Sequence, residues 1–177
     1  RSKVSGFGDL TVVPVMLGIS APISGMATDR FGTRLISILG LVLLLIGYIS
    51  LISLSADTTT LGYALRFVPI GLGFGVFQSP NNTAIMAAAP RRQMGVVSGM
   101  LAISRTMGQV IGIAILGAVW ASLVTYYAGS PVPGGATEAA PSVQVAALQD
   151  TYLIVSVIIA LTVGLSVWGA LTSKKEE

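Results

Sequence analysis

The sequence predicts an all-α integral membrane protein built from five transmembrane helices, and two observations carry that reading. The first is composition. Hydrophobic residues make up 53% of the 177 positions; counting Gly with the apolar set and leaving out Tyr gives roughly 62%, against ~45–50% in soluble domains. Charged residues are only 10%, less than half the usual ~25%. The second is their distribution. Five long apolar runs, Leu10–Thr28, Leu35–Ala56, Leu61–Pro90, Met94–Tyr127 and Tyr152–Ser173, hold no charge except Arg66 and Arg105. At about 1.5 Å per residue each run reaches the ~30 Å of a bilayer core. Buried helices of a large soluble protein would need a polar outer layer that this chain lacks.

Composition also narrows the chemistry. With no Cys there is no thiolate nucleophile or Cys-based metal site, and with no His the commonest general base and metal ligand is missing. An enzyme is not expected, nor a bound metal or cofactor. The net charge of +3 is too small and too scattered for a nucleic-acid footprint.

The basic residues instead report topology. Segments Asp29–Arg34, Arg91–Gln93 and Lys174–Glu177 fall on one side and carry Arg30, Arg34, Arg91, Arg92, Lys174 and Lys175. The other side carries only Arg1 and Lys3. The positive-inside rule places the first group in the cytoplasm, so the C-terminus is expected inside and the N-terminal end outside. An external start without a signal-peptide pattern leads to the expectation of further helices upstream, with this segment as part of a larger protein.

The first run leads into a loop, Gly25-Met-Ala-Thr-Asp29-Arg30-Phe-Gly32-Thr-Arg34. Gly32 permits a tight turn, Arg30 and Arg34 can reach lipid phosphates, and Asp29 can face a helix N-terminus. The second run, like the fifth, is rich in Leu, Ile and Val and reads as a peripheral, lipid-facing helix.

The third run is the most eventful. Gly71, Gly73 and Gly75 lack the spacing of a dinucleotide fingerprint, and no strand precedes them. Gly71, Gly75, Ser79, Thr83 and Ala87 recur every four residues, a ridge that admits a neighbouring helix closely. Pro69 and Pro80 each remove a helix hydrogen bond and are expected to bend the run. Gln78, Asn81 and Asn82, with Phe74 and Phe77 one turn earlier, put amides and aromatics together. That pattern suits a cavity lining for varied, mostly apolar molecules, and it equally suits hydrogen bonding between helices.

In the fourth run, Gly95, Gly99, Gly108 and Gly112 are further packing positions. Ser98, Ala102, Arg105, Gln109 and Gly112 form a small-and-polar stripe at helical spacing. Arg105 lies about 18 Å along the helix from Gln93, at a depth where a guanidinium needs an acceptor inside the bundle or must snorkel out. Arg66, nearer the opposite end, reads as snorkelling. The connector Ala128–Thr151, rich in Ala, Gly, Pro and Ser, reads as a flexible external loop before the fifth run.

The loop spacing G-x-x-x-D-R-x-G-x-R, carried by Gly25, Asp29, Arg30, Gly32 and Arg34, resembles the signature loop of the major facilitator superfamily. The succession Gly71–Gly75, Pro80, Ala89-Pro90-Arg91-Arg92-Gln-Met-Gly95 and Ser104-Arg105-Thr106-Met-Gly108-Gln109-Val-Ile-Gly112 resembles the C-terminal half of 14-helix multidrug:proton antiporters. The fourth run lacks the Gly-Pro-x-x-Gly-Gly motif of an N-terminal half, and Gly71 falls five residues after Arg66 rather than four. The resemblance implies the last five helices of a multi-pass cell-membrane efflux transporter, working by alternating access around a midplane site. It also implies that the third run lines the substrate pathway, giving Phe74, Phe77, Gln78, Asn81, Asn82, Arg105 and Gln109 as pathway candidates. Its partners would be the missing N-terminal half, the bilayer and a small, mostly apolar substrate. All seven acidic residues lie outside the runs, so a proton-carrying carboxylate is expected elsewhere in the protein. An uptake permease of the same superfamily and a non-transporting five-helix scaffold are the alternatives.

Overall fold

A computed structural model of the chain describes residue 18, residues 23–53 and residues 59–173. Among these, helix α1 covers residues 23–31, α2 Thr33–Ile52, α3 Thr60–Ala87, α4 Met94–Ala128 and α5 Pro141–Ser173. Short 3-10 turns at Arg91–Gln93 and Ala136–Glu138 complete the described secondary structure, which contains no strand. Most of the first predicted run, residues 1–9 and the tail 174–177 lie outside the described residues.

The helix boundaries follow from local chemistry. Gly32 separates α1 from α2 at φ 84°, a left-handed conformation that costs a side-chain-bearing residue energy, while its N–H still bonds the Thr28 carbonyl at 2.8 Å. The Thr59 side chain caps α3 by accepting from the Gly62 N–H at 3.2 Å. Pro90 follows α3 and cannot continue it, and the chain passes through the turn Arg91–Gln93 into α4. Gly129, at φ 72°, ends α4 in a left-handed cap. Pro141 opens α5 at the first helical position, where its missing N–H is not needed.

Packing centres on α2. It lies antiparallel to α3 along a seam of three glycines, and the two backbones nearly touch. A Cβ at Gly40 would stand 2.5 Å from the Phe77 nitrogen, and one at Gly73 would stand 2.6 Å from the Leu44 nitrogen. At Gly47 it would meet Ile70 at 2.5 Å. Leu41, Leu44, Leu51 and Ile70 form the buried core, with Tyr48, Phe67 and Phe77 around them and Tyr152, Ile159 and Val163 from α5. Tyr48 and Tyr152 meet with ring centroids 6.2 Å apart. The second helix is therefore not peripheral. It sits between α3 and α5, and only its opposite face, with Leu35, Leu39, Ile46 and Ile49, is left uncovered.

Helix α3 runs unbroken through both prolines. Pro80, fully buried, has no N–H to give the carbonyl of Val76 one turn earlier. The hydroxyl of Ser24, on α1, donates to that oxygen instead at 3.0 Å. The freed acceptor thus becomes the tie between α1 and α3.

Helix α5 begins at Pro141 and not at Tyr152, and the connector Ala128–Thr151 is ordered. Val124, Ala139 and Ala147 form a second small core with Trp120, Leu123 and Val143 around it. The Gln144 amide donates to the carbonyls of Thr137 and Ala139 at 3.0 and 2.7 Å, and the Tyr127 hydroxyl donates to Asp150 at 2.5 Å. Small residues made this segment look loose in sequence. In the fold they let the start of α5 press against the end of α4.

The stretches Thr33–Ile52, Arg91–Ala128 and Pro141–Gly169 are long and apolar enough to cross a membrane. Helix α3 has 28 residues, about 42 Å, and is also long enough, carrying Arg66, Gln78, Asn81 and Asn82 along its length. The helices alternate in direction, so Arg30, Arg34, Arg91 and Arg92 collect at one end.

Candidate functional site

Among the described residues, α3 and α4 exchange polar side-chain contacts at the cluster of Gln78, Asn82 and Arg105. Gln78 and Asn82 are one turn apart on α3 and half-buried, so their amides point the same way. Arg105 reaches across from α4 and donates through Nη2 to Asn82 Oδ1 at 2.8 Å. Turned so that its oxygen faces the guanidinium, the Gln78 amide lies 3.0 Å from each of Nε, Nη1 and Nη2. Three equal distances place that oxygen above Cζ, over the face of the planar cation. The contact is therefore between charge and dipole, and the Asn82 bond is the directed one.

Most of the guanidinium's five N–H donors thus bond no other described residue. The carboxylates among the described residues, Asp29, Glu138 and Asp150, all lie at the ends of the bundle, and none pairs with Arg105. Among the described residues, the cluster therefore holds a positive charge by neutral groups alone, within the apolar stretch Arg91–Ala128.

The remaining pathway candidates scatter. Phe74, one turn before Gln78, is 43% exposed on the same face of α3. Phe77 instead turns to α2 and packs against Gly40 and the core, because successive helical residues are about 100° apart. Asn81, one turn after Phe77, lies on that same side of α3. It lines a cavity of about 450 Å³ between α2, α3 and α5. Gln109 and Ser98 are exposed on α4 and make no hydrogen bond to another described residue through their side chains. Arg66, near the opposite end, comes within 3.4 Å of the Ser53 hydroxyl.

In the loop motif, Arg34 donates to the Gly169 carbonyl of α5, and Arg30 lies 5.7 Å from the Phe31 ring centroid. Asp29 is exposed, Gly32 makes the turn, and a Cβ at Gly25 would stand 4.0 Å from Ser79 Oγ. Gly71 and Gly75 are buried, whereas a Cβ at Gly108 or Gly112 would meet nothing within 4 Å among the described residues. The tight contacts fall on Gly40, Gly47 and Gly73. The first two carried a readable signal, since glycines in a Leu-rich run far from any turn have little purpose except close approach.

The profile of the Major Facilitator Superfamily matches residues 3–136, most of the chain. The chain belongs to the major facilitator superfamily. Among curated relatives of this major facilitator chain, an uncharacterized transporter, YebQ of Escherichia coli K12, is 37% identical over 66% of the chain and 25% of its own length. The riboflavin transporter RibZ of Clostridioides difficile is 31% identical over 66% of the chain and 26% of its length. The multidrug efflux pump LfrA of Mycolicibacterium smegmatis is 29% identical over 76% of the chain and 27% of its length. The matched segment thus spans about a quarter of the length of these relatives. The all-α bundle with long apolar helices agrees with a multi-pass membrane protein of this family.

Proposed function

We propose that this chain supplies the C-terminal bundle of a small-molecule efflux transporter, with Arg105, Gln78, Asn82 and Phe74 facing the substrate pathway. The observation that carries the reading is a guanidinium held by two neutral amides inside an apolar, membrane-length stretch, with donors that meet no other described residue. Polar groups in hydrocarbon are costly, and a charge kept without a counter-ion fits a group that meets solute or a moving partner helix. Ser98, Ala102 and Gln109 lie exposed beside it on the same stripe of α4, open to a solute or to the other half of the transporter. Similarity to the multidrug efflux pump LfrA supports drug efflux; similarity to RibZ supports a second reading, transport of a planar polar solute, which amides and an aromatic ring would also fit. Coupling to a proton gradient, without a bound cofactor, would place the carrier carboxylate outside the apolar helices described. The basic end of the bundle is assigned to the cytoplasm, and the transporter to the cell membrane.

Transport per membrane-inserted protein tests the assignment in the intact transporter. Arg105→Ala should reach the membrane normally and lose most transport. Arg105→Lys keeps the charge but loses the planar fork, so it should recover only part. Arg66→Ala should stay near wild type. Near-normal transport by Arg105→Ala would return Arg105 to a packing or snorkelling role.

A further inference from the structure

We propose that the cavity between α2, α3 and α5, at the basic end of the bundle, binds the phosphodiester headgroup of an anionic phospholipid. The cavity measures about 450 Å³, within the range of small-ligand sites. Its lining is polar where a headgroup would need it: Arg34, Thr33 and Ser37 from α2, Asn81 from α3, Ser166 and Gly169 from α5.

Arg34 is the centre of the argument. It donates to the Gly169 carbonyl, and a Cβ at Gly169 would stand only 3.3 Å from its Nη2. The glycine thus admits the guanidinium to the wall of the cavity and its carbonyl holds it there. Among the described residues no carboxylate pairs with Arg34, and most of its donors meet no other described acceptor. A planar guanidinium with adjacent free donors matches phosphate oxygens bidentately. Around it, the Thr33 and Ser166 hydroxyls and the Asn81 amide donate to no other described residue, so they too are available. The first turn of α2 adds N–H groups without a side-chain cap.

Position selects the source of the phosphate. Arg34 lies in the first turn of α2, and Asn81 and Ser166 lie within about two turns of the ends of α3 and α5. That is headgroup depth, and basic pockets between helices at this level suit anionic lipid headgroups. Leu165 and Ile38, also in the lining, can meet the upper acyl chain.

The test uses the purified intact transporter, delipidated and titrated with phosphatidylglycerol, phosphatidylcholine or inorganic phosphate, with bound molecules counted by native mass spectrometry. Phosphatidylglycerol should bind at least about tenfold more tightly than phosphatidylcholine, as expected where charge-assisted bonds decide. Arg34→Ala should lower phosphatidylglycerol affinity by about tenfold or more, and Arg34→Lys by less. Ala84→Leu, which fills the cavity and leaves Arg34 intact, should weaken binding likewise and keeps the test valid if Arg34→Ala misfolds. Arg92→Ala, on the same end but outside the cavity, should change it by less than about twofold. Equal retention of the two lipids, or unchanged binding in Ala84→Leu, would overturn the proposal. Inorganic phosphate displacing the lipid at similar concentration would overturn the lipid assignment in favour of a soluble anion.

Discussion

Pro80 and Ser24 show how one residue's chemistry sets another's. A mid-helix proline leaves the carbonyl of Val76 without its helical donor, and a serine from a different helix takes the vacancy at 3.0 Å. Sequence reading could identify the lost bond at Pro80, since proline has no N–H. It could not identify Ser24 as the replacement, because that pairing depends on how α1 crosses α3. Ser24 is fully buried, so truncation leaves an orphaned acceptor, a cost of about 1–3 kcal/mol. Ser24→Ala should therefore lower the unfolding midpoint of the detergent-solubilised transporter. In a Pro80→Ala background, where residue 80 regains its N–H, the same Ser24→Ala change should cost much less. A double-mutant cycle measures the coupling, and additive effects would break the link between the two residues.

At the scale of elements, close helix approach was legible as a principle and misplaced in detail. A repeat of small residues at Gly71, Gly75, Ser79 pointed to α3 as a packing helix, and Gly71 and Gly75 are indeed buried. Yet the tightest seam sets Gly73 against Leu44 and Gly40, and Gly40 and Gly47 against Phe77 and Ile70, on a helix read as lipid-facing because it has almost no polar residues. Hydrophobicity alone cannot tell lipid from protein as a neighbour; in a bilayer both are apolar. The connector before α5 failed for a related reason. Its Ala and Ser residues carry little periodic signal, although Ala139 and Ala147 are buried. The seam makes a sharp prediction. Gly40→Ala places a methyl 2.5 Å from a backbone nitrogen and must push the helices apart, at a cost of about 1–3 kcal/mol from overpacking. Gly164→Ala meets open space and should be neutral or slightly stabilising, by up to about 1 kcal/mol, as expected for Ala over Gly in a helix. Thermal unfolding of both variants in the same detergent checks the contrast, and equal midpoints would refute the seam.

The whole molecule was legible as a class: the apolar runs and the near absence of internal charge describe a membrane bundle, and the loop motif pointed to its superfamily. The triad of Gln78, Asn82 and Arg105 was also within reach, since two amides at helical spacing and one deep arginine are few enough to be paired by eye. Phe77 and Asn81 lie about 100° round α3 from those amides, and that this side meets α2 depends on the packing, which the sequence does not carry. The proposed orientation is open to direct test. The chain has no native cysteine, so single replacements label cleanly. In intact cells Gly134→Cys should react with an impermeant maleimide and Gln93→Cys should react only after permeabilisation. The opposite pattern would invert the bundle. One further consequence attaches to the neutral cradle of Arg105. A charge balanced by a carboxylate moves as a dipole and does little work against a membrane voltage. Arg105 has no such companion among the described residues, so any rocking of the bundle that shifts it along the membrane normal carries net charge. The full field is worth about 2.3 kcal/mol per charge at 100 mV, and whatever fraction Arg105 traverses would make the proposed transport cycle sensitive to the membrane voltage.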